Sequence, residues 1–99
     1  MTDQPSDALA DAGDLGHRKP APTATAVLTH VVRSIVDDAD AVHVEALQGK
    51  NRLKLEVKVG PGDLGRVIGR RGRTAQSIRT VVRAAAARDG VEVDVDFVD

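Results

Sequence analysis

The chain is 99 residues long, with 14 lysines and arginines, 15 aspartates and glutamates, no cysteine and a single aromatic residue, Phe97. A chain this short supports one small domain and not the multi-layer core of a typical enzyme, and without cysteine it has neither a disulfide framework nor a thiolate metal site. The net charge of −1 conceals an uneven distribution: from Asp63 to Arg88, seven arginines (Arg66, Arg70, Arg71, Arg73, Arg79, Arg83 and Arg88) stand against one acid, Asp63, for a local charge of +6.

Residues 1–22 mix Asp3, Asp7, Asp11 and Asp14 with Pro5, Pro20 and Pro22 and show no apolar periodicity. Such a segment cannot bury enough surface to offset its ordering entropy, so a disordered acidic tail is expected there, with a folded domain over residues 23–99. From Thr25 onward, Val27, Leu28, Val31, Val32 and Ile35 recur at helical spacing, with Thr23 or Thr25 available as an N-cap. Asp37, Asp38 and Asp40 then crowd the negative end of the helix dipole, which predicts a stop near Val36. Val42, Val44 and Ala46, then Leu53, Leu55, Val57 and Val59, alternate with polar residues on either side of Gly49-Lys50-Asn51, as a hairpin does.

Gly60-Pro61-Gly62 ends the second strand, and Gly62 or Asp63 can cap a short helix carrying Leu64, Val67 and Ile68 that stops at Gly69. Ala75, Ile78, Val81, Val82, Ala85 and Ala86 mark a longer helix to about Arg88, with Gly90 as its stop. Val91, Val93, Val95 and Phe97 then alternate with Glu92, Asp94 and Asp96 as a last strand. The order helix-strand-strand-helix-helix-strand predicts an α+β domain, a three-stranded mixed sheet covered on one face by three helices. Because a helical crossover joins strands two and three, they should pair in parallel, which sets Arg52, Lys54 and Lys58 beside Glu92, Asp94 and Asp96 on the open face.

Two rival constellations fail. Gly60-Pro61-Gly62-Asp63-Leu64-Gly65 has dinucleotide-fingerprint spacing, but too little chain follows to complete the nucleotide crevice, and the arginine-rich turn lacks the lysine and spacing of a P-loop. His17, His30 and His43 are scattered without paired-ligand spacing, and neither Ser34 nor Ser77 sits in a sharp-turn nucleophile motif. No catalytic site, metal site or cofactor is expected. No apolar run approaches the length of a signal sequence or membrane span, so a cytoplasmic protein without membrane contact is the default expectation.

The run Gly65-Arg66-Val67-Ile68-Gly69-Arg70-Arg71-Gly72-Arg73-Thr74-Ala75, followed by Ile78-Arg79-Thr80-Val81-Val82, resembles the GXXG region of K homology (KH) RNA-binding domains. The element order is the prokaryotic, type II order of that family, and the resemblance over about residues 24–98 is to its small single-domain bacterial members, the KhpA (YlqC-like) family. It implies non-enzymatic binding of single-stranded RNA, as a small post-transcriptional regulator or RNA chaperone-like module. It also implies self-association, or pairing with a Jag-type KH protein.

In such a turn Gly69 and Gly72 permit close approach of a phosphate backbone, Arg70 and Arg71 add charge-assisted contacts, and Arg73 and Arg79 extend a phosphate track. Bases would lie along Val67, Ile68 and Ile78 and part of the hairpin's second strand. A chain with one aromatic residue suits this better than a stacking platform does. Arg83 and Arg88 read as solvated surface, Arg66 as either. The competing reading is an assembly module in which the fold mainly mediates dimerisation.

Overall fold

The computed structural model describes residues 20–98. Six main elements follow in the expected order: α1 (Pro22–Ile35), β1 (His43–Gln48), β2 (Leu53–Lys58), α2 (Leu64–Ile68), α3 (Arg73–Arg88) and β3 (Val93–Val98), with single 3-10 turns at Ala39–Ala41 and Arg70–Gly72. The sheet order is β1-β2-β3; β1 runs antiparallel to β2, and β2 parallel to β3. A parallel pair needs a crossover, and α2 and α3 supply it while covering the sheet. Among the described residues no helix is long and apolar enough to cross a membrane. Of the tail expected over residues 1–22, residues 1–19 lie outside the described residues; Ala21 is buried and Pro22 already opens α1.

The inner face follows the strand alternation. Leu53, Leu55 and Val57 of β2 stand beside Val93, Val95 and Phe97 of β3, and Val57 and Leu55 stand opposite Val44 and Ala46 of β1. Ala75, Ile78, Val82 and Ala86 of α3, with Ala24, Leu28 and Val32 of α1, complete the core. Leu28, Val32, Leu55, Val57, Val67, Val82 and Val93 are its largest fully buried side chains, each worth about 1.5–3 kcal/mol on burial. Ile35, counted into the apolar stripe of α1 from its spacing, is instead exposed at the last residue of the helix, while Val32 is buried and Val36 packs against the core.

The open face carries the expected charge match in part. Arg52 bridges Glu92 and Asp94, each at 2.9 Å, and Lys54 reaches Asp96 at 3.3 Å. These exposed pairs contribute little to stability, but they fit only one register. Asp94, by hydrogen bond and charge, and Glu92 raise the Arg52 pKa above its ordinary value. Lys58 departs from the expectation: it stands opposite Val98 and makes no ion pair among the described residues.

Both ends of α1 are held by carboxylates from elsewhere in the chain. Neither Thr23 nor Thr25 caps the helix; Pro22 occupies its first turn, and the N-cap is Ala21, in the left-handed region at φ 50° and without a side-chain acceptor. Asp89, just beyond α3, fills that role: one carboxylate oxygen accepts from the Thr23 N–H at 3.1 Å, the other from the Ala24 N–H at 3.0 Å. At the far end Asp63, buried ahead of α2, accepts from the Asp37 and Asp38 N–H groups at 3.2 and 3.1 Å. It therefore ties the end of α1 to the crossover and makes no capping bond to its own helix.

Desolvation at the helix contact works against ionisation of Asp89, but the hydrogen bonds from Ala24 and Thr23 outweigh it and hold the carboxyl below its ordinary pKa. A folded-state pKa below the unfolded one means that this stabilisation is complete above the unfolded value and is lost as pH falls through the folded value. Asp89→Ala is therefore expected to lower the melting temperature at pH 7, with the gap to the parent chain closing in the acid range. Melting curves followed by circular dichroism from pH 7 to pH 2 measure it; a gap independent of pH would contradict the tertiary cap.

Candidate nucleic-acid interface

The crossover reverses direction at Gly69–Gly72, and its backbone explains both glycines. Gly69 ends α2 with its N–H donating to the Gly65 carbonyl at 2.9 Å, then adopts φ 75°, ψ 175°, a region open essentially to glycine alone. An added Cβ there would also overlap the Thr74 side chain, 2.6 Å from its Cβ. Gly72 is different. It is left-handed at φ 74°, ψ 13°, but an added Cβ would meet nothing within 4 Å. Gly69 thus serves the internal fit of the turn, and Gly72 leaves open surface in front of α3. Between them Arg71, at φ 58°, ψ 24°, holds a left-handed conformation that costs a non-glycine residue about 1–2 kcal/mol.

This turn gathers positive charge on one surface. Gly72 is the N-cap of α3, with no side chain bonded to the helix's first N–H groups, so the positive end of a 16-residue helix faces outward. Arg70, Arg71 and Arg73 surround it, all exposed. Among the described residues none of the three pairs with a carboxylate, whereas Arg33, Arg52, Lys54, Arg66 and Arg83 each do. Arg66, undecided from sequence, bonds Asp37 at 2.9 Å and Asp63 at 3.3 Å and belongs to the frame. Arg83 comes within 4.0 Å of Asp94, half exposed, as a surface residue does.

The surroundings of the turn differ from the expected groove. Val67 is 0% exposed and Ile78 is 4% exposed; both belong to the core, and of the three expected wall residues Ile68 alone is partly exposed. The hairpin's second strand is the centre of the sheet, so α2 and α3 pack instead against the edge strand β3. Arg79, expected on a phosphate track, lies on that edge, its Nε donating to the Val95 carbonyl at 3.2 Å and its Cζ 5.4 Å from the Phe97 ring centroid. Sequence spacing gives Thr74 no role of its own, makes Asp63 only a cap of α2 and makes Val95 only a strand residue. Thr74 had a readable signal, a branched residue soon after a glycine, but the roles of the other two depend on which segments the fold brings together.

The two glycines should respond differently to asparagine, which tolerates the left-handed region but not that of Gly69. Gly72→Asn is expected to lose less than about 1 kcal/mol, and Gly69→Asn about 3 kcal/mol or more through strain and overlap with Thr74. Urea denaturation of the two variants checks the order; equal losses would refute it.

Residues 25–97 match the family model described as KhpA/KhpB, KH domain. A protein of Leifsonia xyli subsp. xyli with the name RNA-binding protein KhpA is 57% identical over 72 residues, which span 73% of this chain and 92% of that protein. Proteins of the same name from Streptomyces coelicolor and Chlamydia trachomatis are 51% and 38% identical over 72 residues, again 73% of this chain and 90% and 92% of theirs. The match runs from the first turn of α1 to β3 and contains the whole Gly69–Gly72 turn with its unpaired arginines. By fold, by turn and by these identities, the chain belongs to the KhpA/KhpB family of KH-domain proteins.

Proposed function

We infer that this chain is a non-enzymatic RNA-binding protein that holds single-stranded RNA by its backbone at the Gly69–Gly72 turn, as a small post-transcriptional or chaperone-like module. The observation that carries the reading is the division of its cations: five are neutralised within the fold, while Arg70, Arg71 and Arg73 face outward beside an uncapped helix N-terminus. Fixed donors and unpaired guanidinium groups around one point suit a run of phosphates. The relatives' name, RNA-binding protein KhpA, supports the same conclusion. A lone module of this size is expected to bind in the micromolar range, roughly −8 kcal/mol.

A second reading, assembly through a homodimer or with a Jag-type KH partner, has one observation in its favour: Val81 on α3 is 50% exposed. The two readings separate in a single experiment. Labelled single-stranded RNA is titrated at several salt concentrations with the parent chain, with an Arg70→Asp, Arg71→Asp double variant and with Arg71→Gly. Contact with three or four phosphates predicts a log-log salt slope of about −2 to −3. The double variant should flatten it. Arg71→Gly should lower the slope by about 0.7 while leaving stability unchanged or slightly raised, because glycine relieves the left-handed strain at that position. Equal RNA binding by all three proteins would defeat the turn as the RNA contact, and no binding by any of them would defeat the RNA reading and leave assembly as the function of the fold.

A further inference from the structure

Arg79 is, among the described residues, the arginine whose side chain bonds a backbone carbonyl at the edge of the sheet. The Glu92 carbonyl accepts from the Leu53 N–H at 2.9 Å, so along parallel β3 the even-numbered carbonyls turn toward β2 and that of Val95 turns outward. Arg79 Nε takes this outward carbonyl at 3.2 Å, and the guanidinium carbon lies 5.4 Å from the centroid of Phe97, the only aromatic ring in the chain. The side chain is half-buried and makes no ion pair among the described residues. Backbone bond and ring together hold a group that would otherwise lose rotamer freedom on meeting a ligand.

A guanidinium has five N–H donors, of which one is engaged here; the Nη1–Nη2 edge keeps a fork of two parallel donors. Arg79 lies six positions beyond Arg73 on α3, about 9 Å along the helix, so the fork stands at the edge of β3 and away from the turn. What matches it is a base with two adjacent acceptors on one edge. Guanine has them at O6 and N7, cytosine at O2 and N3, whereas the edges of adenine and uracil alternate donor and acceptor. A phosphate also matches a fork, but an aromatic ring and a half-buried position favour a planar base over a fully hydrated anion.

We propose that Arg79 makes the β3 edge beside the turn prefer guanine or cytosine over adenine or uracil, a selectivity that rests on the RNA-binding reading and goes beyond it. Fluorescence anisotropy with the full chain tests it on four single-stranded octamers: all-uracil, and uracil with one central guanine, cytosine or adenine. A single substituted base suffices, since the strand can slide to place it. The octamer with guanine, with cytosine or with both is expected to bind about tenfold more tightly than the other two, and which of them does so tells the Hoogsteen from the Watson–Crick edge.

Arg79→Lys keeps the charge and removes the fork. It should bring all four octamers to within about twofold of one another, with the salt slope unchanged. Equal binding of the four by the parent chain would overturn the proposal while leaving RNA binding intact, and needs no variant to fold. A uniform loss in Arg79→Lys or Arg79→Gln, with a salt slope lower by about 0.7 in the glutamine variant, would make Arg79 a phosphate contact and overturn it too. No binding of any octamer would overturn both readings together.

Discussion

Everything at the candidate site depends on the chain's passage past Thr74 at Gly69. The space for a side chain is already taken there, and the backbone occupies a region that other residues avoid. With Arg71 and Gly72 both left-handed immediately afterwards, two helices that could read as one are broken and turned. The turn ends α2 against the core through Val67 and starts α3 with its first amide groups and three guanidinium groups facing outward. Strain at Arg71 is part of this arrangement: a residue that prefers another conformation is held where its charge adds to its neighbours'.

Charge is then sorted by position. The net charge of −1 combines three arginines clustered at the turn with an excess of acids over the rest of the chain. In the frame, Arg52 and Lys54 match the acids of β3 across a parallel register, and Arg66 joins Asp37 to Asp63 where α1 meets the crossover. Asp63 and Asp89 hold the two ends of α1 through backbone N–H groups, fixing that helix against the unit that carries the turn. Among the described residues five of the frame's cations are engaged by its own acids, whereas Arg70, Arg71 and Arg73 stand close together in sequence without a carboxylate partner, which concentrates positive charge at the turn.

Much of this could be read from residue order alone, because the relevant signals are local or periodic. Alternation in Leu53–Lys58 and Val93–Val98 gives strands, a two-helix connection between them gives parallel pairing, and the glycines with their arginines mark the turn. The unread parts share one cause: they depend on segments distant in sequence. The cap of α1 is 65 and 66 residues away at Asp89, and Arg79 meets a carbonyl 16 residues on. Val67 and Ile78 looked like groove walls because apolar residues beside a binding turn can face either way; only the packed layers settle that they face the core.

The proposed RNA contact is the outward face of Gly69–Ala75. The most direct measurement is a titration of the isotope-labelled chain with a single-stranded RNA octamer, following backbone amide resonances. The account predicts the largest shifts at Gly69 through Ala75, with smaller ones along β3 near Val95 and none at Lys54, Asp94 or Asp96 on the open face of the sheet. Shifts confined to that open face or to the surroundings of Val81, with the turn unmoved, would contradict it.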